Sequence, residues 1–249
     1  MTTRILAAAH TRIGWFRSVY NIPHAFAVGS FVDELAAAAE KDPVQFLLSV
    51  LGEPRKLDPK LLGSAYSNYG ASLDEYPIDI GRMRNVVLLA AARSGWGSPL
   101  PTRHGRGIAV HRSFLTYVAA VAHVAVAADG TVTMPRIDLA VDCGMVVNPD
   151  RVAAQFEGAA IMGLGNALYS SLTFKQGRAE QSNFADYQVP RIDATPETHV
   201  YVVRSEASPG GVGEPGVPPV SAAICNAISN AVGRRVRALP VDPAELKSA

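Results

Sequence analysis

Residues 107–142 read GIAVHRSFLTYVAAVAHVAVAADGTVTMPRIDLAVD, a stretch that alternates β-branched and small residues along most of its length. Asp129-Gly130, set between VAVAA and TVTMPRIDLAV, is a strong hairpin signal, so the stretch predicts antiparallel strands. The pattern changes on either side of it. On the N-terminal side, AFAVGSFVDELAAAAEK predicts a helix from His24 to Lys41, with Phe26, Phe31 and Leu35 at helical spacing. Asp42 as N-cap, Pro43 at the first helical position and Gly52 as terminator frame a second helix. Residues 53–78 mix Pro, Gly, Ser and Tyr without sustained periodicity and read as a long surface loop, of the kind that is functional or meets a partner. Arg82–Arg93 is helical again. On the C-terminal side, Asn148 and Pro149 open a helix that runs to about Tyr169. A hairpin turn at Gln176-Gly177, a strand at His199–Arg204 and a helix from Pro219 to Ala231, stopped by Gly233, complete the chain. Helices and antiparallel strands follow one another without the strand-helix-strand rhythm of a parallel sheet, which gives an α+β class. No internal repeat is evident.

Composition narrows the function. The 249 residues are 48% hydrophobic and 18% charged, enough to bury a substantial core. Lys and Arg total 23 against 22 for Asp and Glu, a net charge of +1 that offers no basic excess for nucleic acid. The longest nearly apolar run, 117–128, contains His123 and falls well short of the ~20 residues of a spanning helix. The opening MTTRILAAAH has too short an apolar stretch before His10 and Arg12 for a signal peptide. The expected location is therefore cytoplasmic, or periplasmic if a signal-bearing partner carries the chain out. Cys143 and Cys225 have no CxxC spacing, and the six histidines show neither HxxxH nor HExxH, so no metal ligands are expected from this chain.

Three segments carry candidate chemistry. Residues 208–220, SPGGVGEPGVPPV, hold four glycines and four prolines with Glu214 as the single ionisable side chain. Glycines such as Gly211 and Gly213 allow close backbone approach, prolines stiffen the loop, and a carboxylate among apolar neighbours has the setting of a general base. A linker with a solvated glutamate fits the same composition. The helix from Pro149 carries Ala154, Gly158, Ala159, Gly163 and Ala167 as a small-residue face, with Gln155 on it. Its amide can donate and accept at a heterocyclic ring edge. A tightly packed core helix with Gln155 and Glu157 at its rim reads equally well from these residues. Finally, Trp15, Phe16, Arg17 and Tyr20 precede a helix N-terminus, a setting that suits an anion or oxo group but also the packing of a domain edge. A GLG at 163–165 lies inside a helix, so it is not a Rossmann phosphate loop, and no GxSxG elbow occurs.

Taken in order, GWFRSVYNIPHAFAVGSFVDELA, VDCGMVVNPDRVAAQFEGAAIMGLGNALY, NFADYQVPRI and GGVGEPGVPPVSAAICNAISNAVGRRVRALP closely resemble the C-terminal part of the molybdopterin-binding large subunit of the xanthine dehydrogenase family. The isoquinoline 1-oxidoreductase and membrane-linked aldehyde dehydrogenase branch is the most similar. The resemblance implies that Glu214 is the family's catalytic glutamate, which takes a proton from a molybdenum-bound hydroxyl. It implies that Gln155 contacts the pterin and that Arg17 lies in the turn beside the molybdenum, with Gly158, Gly211 and Gly213 at the cofactor. Where one family version of that turn reads RGFG, this chain has RSVY.

The resemblance also implies what must come from elsewhere. The GGxFG-type and MGQG-type loops that hold the pterin in this family are absent from the chain, so a second molybdopterin-binding chain is expected to carry them. The expected cofactor is molybdopterin, in its cytosine dinucleotide form, with molybdenum. Electrons are expected to pass to [2Fe-2S] clusters of a small partner subunit and on to a cytochrome or other acceptor, the substrate being an aldehyde or N-heteroaromatic small molecule. Residues 1–249 are then the C-terminal portion of a molybdopterin-binding domain, divided into an opening helical segment (1–52), a loop (53–78) and an α+β core (79–249). The reading from a different class is a non-catalytic scaffold that keeps the fold, and the lone carboxylate of Glu214 separates the two. A free-standing hydrolase lacks a nucleophile and an oxyanion partner.

Overall fold

The computed structural model describes residues 14–63 and 65–247, so the reading of the N-terminus with His10 and Arg12 lies outside the described residues. The chain runs α1 (Asn21–Ala38), α2 (Pro43–Leu51), β1 (Lys56–Leu57), β2 (Ile78–Asp79), α3 (Ile80–Arg93), β3 (His104–Ser113), β4 (Thr116–Val126) and β5 (Val132–Asp142). It continues through α4 (Pro149–Leu168), β6 (Phe174–Lys175), β7 (Arg178–Ala179), β8 (Glu197–Val202) and α5 (Pro218–Val232). The predicted capping residues of α2, α4 and α5 hold. The Asp42 carboxylate accepts from the Gln45 amide at 2.9 Å, Asn148 Oδ1 accepts from Arg151 N at 3.1 Å, and Gly233 ends α5 at φ 69°.

The central sheet has the order β3-β4-β5-β8. Its first three strands form the expected antiparallel meander, but β8 pairs with β5 in parallel, Arg136 opposite Glu197 and Val141 opposite Val202. The edge is therefore a correction to an all-antiparallel reading. After β5 the chain crosses over through α4 before it returns, and such a crossover brings a strand back in the same direction. The Asp129-Gly130 signal marks a wider turn than a two-residue hairpin, closed by Ala127 N–H on Thr131 O. Gly130 is needed there for a second reason, since a Cβ would stand 1.8 Å from the Pro243 carbonyl oxygen.

Both faces of β4 are covered, which explains its run of small and branched residues. Val118, Ala120, Ala122 and Val124 share one apolar cluster with α4 and α5, while Tyr117, Ala119 and Val121 share another with α2 and α3. Helix α5 lies so close to β3 that a Cβ on Gly107 would stand 2.1 Å from Ala227 N, and one on Gly105 2.0 Å from Ala227 O. Residues 218–229 of α5 are all buried. Each large aliphatic among them, such as Ile224 and Ile228, contributes roughly 1.5–3 kcal/mol on burial.

Helix α1 departs from its predicted face and begins three residues before His24. Its buried residues are Asn21, Ala25, Asp33 and Ala36, whereas Phe31 is 59% and Leu35 40% exposed. The cause is the close crossing with α5, where a Cβ on Gly29 would stand 2.9 Å from Ala222 Cβ, so small residues face inward. The 53–78 segment is tied down at both ends by the β1–β2 ladder. Arg112 pins its middle, donating to Tyr66 Oη (3.1 Å), Asn68 Oδ1 (2.9 Å) and Tyr76 O (3.3 Å).

Candidate functional site

The Gly/Pro loop before α5 is fastened at each of its ends. Gly210 N–H donates to Cys143 O and Gly211 N–H to Phe114 O, both at 2.8 Å, while Thr116 Oγ1 donates to Gly211 O at 2.7 Å. Further on, Arg17 Nε donates to Gly213 O at 2.7 Å and Ser18 Oγ to Glu214 O at 2.6 Å. The two carbonyls on either side of the Glu214 Cα are thus both held, by residues 196 positions earlier in the chain. Glu214 itself is half-buried, and its carboxylate makes no hydrogen bond or ion pair among the described residues. It is neither a solvated linker residue nor surrounded by apolar groups alone, for the Arg17 charge stands near it. Burial pulls the Arg17 guanidinium below its usual range, and the Glu214 charge pulls it back up.

Arg17 also reaches α4. Its Nη2 donates to the Gln155 carbonyl at 2.9 Å and to Gln155 Oε1 at 3.2 Å. Its guanidinium therefore bridges α4 and the loop. The small-residue face of α4 divides in two. Ala159, Gly163 and Ala167 are buried, and a Cβ on Gly163 would stand 2.4 Å from Val220 Cβ, so that half serves helix packing. Ala154, Gln155 and Gly158 are exposed. Gly158 would place a Cβ near Arg17 Nη1 alone, at 3.7 Å, and a Cβ on Gly213 would meet nothing within 4 Å. Packing within the chain does not require glycine at either place. Gly211 differs, with Phe114 Cβ only 3.1 Å from where its Cβ would be, so this glycine has an internal role. A cleft of about 470 Å³ opens beside the exposed half of α4, lined by Gln155, Ala154, Asn148, Arg151, Gly210 and Val212 among others. The loop that carries Glu214 thus lines this cleft through Gly210 and Val212, and Glu214 itself is not part of the lining.

Beneath Arg17 lies a polar cluster that sequence reasoning missed. Ser18 (φ 78°) and Val19 (φ 52°) both adopt the left-handed region, which for non-glycine residues costs on the order of 1–3 kcal/mol each. Ser18 stands where RGFG has a glycine, and it takes the conformation a glycine favours. Asn21 braces the turn by donating from Nδ2 to Ser18 O at 2.9 Å. Its Oδ1 accepts from Tyr69 Oη at 3.3 Å and lies 3.1 Å from His111 Nε2. Burial, with His24 adding to it, lowers His111 to about 4, so the ring is neutral at neutral pH and Nε2 carries the proton it gives to Asn21. Of the aromatic residues before α1, Trp15 and Phe16 face solvent. Among the described residues no three His, Cys, Asp or Glu side chains gather into a metal-ligating cluster.

Gln155 lines a cleft beside the loop that carries Glu214, and comparison with known proteins gives the class. Residues 83–196 match the molybdopterin cofactor-binding domain. That span contains Gln155 and Gly158 and leaves Arg17 and Glu214 outside. Over 97% of its length the chain is 37% identical to the membrane-bound aldehyde dehydrogenase [pyrroloquinoline-quinone] of Gluconacetobacter polyoxogenes, covering 30% of that protein. It is 30% identical over 96% of its length to a nicotinate dehydrogenase component of Pseudomonas putida, covering 19% of it. It is 33% identical over 88% to the beta component of isoquinoline 1-oxidoreductase of Brevundimonas diminuta, covering 25%. The chain belongs to the xanthine dehydrogenase, or molybdenum hydroxylase, family. It spans less than a third of the length of these relatives.

Proposed function

We propose that the chain forms one wall of the active site of a molybdenum hydroxylase, corresponding to the C-terminal part of the family's large subunit, with Glu214 as its proton acceptor. The observation that carries this is the treatment of Glu214, whose main chain is clamped on both sides while its carboxylate is left without a partner. A base must be positioned without having its lone pairs consumed, and this arrangement does both.

The residues present fit the pterin. Among the described residues, Gln155 offers an exposed amide whose Nε2 makes no hydrogen bond, and Gly158 and Gly213 leave bare surface that no neighbour fills. When bound, molybdopterin supplies a molybdenum that accepts two electrons from the substrate for delivery to iron–sulfur clusters of a small subunit. Gln155 would hold the ring edge, with its carbonyl and Oε1 fixed by Arg17. Glu214 would receive a proton on its carboxylate as water-derived oxygen is transferred to the substrate. The substrate class is an aldehyde or N-heteroaromatic, in keeping with the names of the relatives. The remaining pterin loops, of GGxFG and MGQG type, would come from a second molybdopterin-binding stretch, and the cytosine dinucleotide form of the cofactor is part of the same proposal.

Glu214→Gln in the assembled enzyme tests the reading. It keeps shape and cannot accept the proton, so kcat is expected to fall by about 10²–10⁴-fold with molybdenum content retained. Turnover near wild type at full molybdenum occupancy overturns the assignment and favours a non-catalytic scaffold.

A further inference from the structure

Consecutive non-glycine residues with positive φ occur at Ser18–Val19, Asn68–Tyr69 and Phe114–Leu115. All three pairs meet around the Glu214 loop. Starting from the loop, Gly211 N–H donates to Phe114 O (2.8 Å), and the Phe114 ring stacks on Tyr69 with centroids 4.8 Å apart. Tyr69 Oη donates to Asn21 Oδ1 (3.3 Å), Asn21 Nδ2 donates to Ser18 O (2.9 Å), and Ser18 Oγ donates to Glu214 O (2.6 Å). The contacts form a closed ring that leaves the loop at Gly211 and returns at Glu214. Strained backbone persists only where its surroundings over-determine it, and here it persists three times on one ring.

We infer that Asn21 is the positioning residue of the Glu214 loop, an inference that rests on the reading of Glu214 as the base. Asn21 is the one member of the ring that must donate and accept with the same side chain. Its Nδ2 holds the left-handed Ser18 turn, and its Oδ1 gathers Tyr69 and His111. An aspartate lacks the donor, and an aliphatic residue lacks both. Asn21 is only 5% exposed, so water cannot take over these bonds freely. It touches neither the cleft nor the carboxylate, and it acts on the loop through Ser18 at Glu214 and through Tyr69 and Phe114 at Gly211. Without it Ser18 Oγ loses its fixed aim at Glu214 O, and the carboxylate gains freedom that a base cannot use.

Amide hydrogen exchange on the 249-residue chain reads this directly. Val217 N–H donates to Glu214 O at 3.1 Å and reports on the loop. Asn21→Ala is expected to speed exchange at Gly211 and Val217 about tenfold or more, while the centre of β4 stays protected. Val86→Ala, a cavity in the second apolar cluster, is the control for general destabilisation. Should Asn21→Ala fail to fold, Ser18→Ala removes only the bond to Glu214 O and is expected to loosen Val217 in the same way. In the assembled enzyme, Asn21→Ala is expected to lower kcat about tenfold with KM and molybdenum content retained. Loop exchange no faster than in Val86→Ala overturns the inference, as does a loosened loop with unchanged kcat. If Glu214→Gln is fully active, the reading of the base fails instead, and the exchange data stand apart from it.

Discussion

Asp138 and Glu214 are both acids flanked by apolar residues in the sequence, yet the structure treats them in opposite ways. Asp138, on β5, is fully buried, and its side chain is entirely engaged. Arg136 donates to both carboxylate oxygens (2.9 and 2.7 Å), His123 Nε2 lies 3.1 Å from Oδ2, and Tyr201 donates to Oδ1 at 3.0 Å. Burial pushes the Asp138 carboxyl up, but these hydrogen bonds outweigh it and bring it down to about 2. At Glu214 the bonds go to the main chain and the side chain is left free. The Asp138 carboxylate has its oxygens occupied, whereas Glu214 is held through its backbone.

The contrast breaks first if the two substitutions behave alike. Glu214→Gln should abolish nearly all turnover while thermal unfolding stays within experimental scatter of wild type. Asp138→Asn should do the reverse. Removing that charge leaves Arg136 and His123 facing a neutral amide, a loss of about 2–4 kcal/mol, or roughly 5–15 °C in Tm, with cofactor content per folded molecule retained. Differential scanning calorimetry beside steady-state kinetics decides both.

Acid titration sharpens the same comparison. The folded Asp138 lies below its unfolded value, so its contribution is present above about pH 4 and is lost as pH falls toward 2. Wild type should lose stability through that window more steeply than Asp138→Asn. Parallel curves in urea melts from pH 5 to 2.5 would show that the network is not what holds the acid down.

The two halves of α4 offer a smaller version of the test. Gly163→Ala must displace Val220 and should cost about 1–3 kcal/mol despite alanine's better helix propensity. Gly158→Ala meets only the far end of Arg17 and should stabilise the chain by up to ~1 kcal/mol. It should also weaken molybdenum retention in the assembled enzyme. Equal effects on Tm would mean the helix has one role along its whole length.

The sequence showed these features unevenly. Asp42, Asn148 and Gly233 could be placed because a cap is a local arrangement between neighbouring residues. Glu214, Gln155 and Arg17 stood out through wording shared with a family, and the structure brings all three together. Asn21 and Tyr69 gave no signal and Ser18 showed only as a departure from RGFG, because most of their partners lie tens to hundreds of positions away and positive φ at serine, valine or tyrosine has no signature. Part of the face of α1 was misplaced for a related reason, for Phe26 packs on the core while Phe31 and Leu35 do not. Hydrophobicity pointed to Phe31 and Leu35, but a helix crossing as close as that at Gly29 selects for size. The parallel docking of β8 depended on a crossover whose direction no single strand records.

The clamp from Arg17 and Ser18 to the carbonyls of Gly213 and Glu214 also fixes a moment in the life of the chain. Its two halves are separated by 196 residues. At a synthesis rate of roughly 5–20 residues per second, about 10–40 s pass between the appearance of the first half and that of the second. Until then α4 can form with Gln155 in place, but Arg17 has no loop carbonyl to hold. The clamp therefore comes into being only once the loop has been made. A chain cut short before that loop keeps α4 with Gln155 but lacks both carbonyls that Arg17 and Ser18 hold.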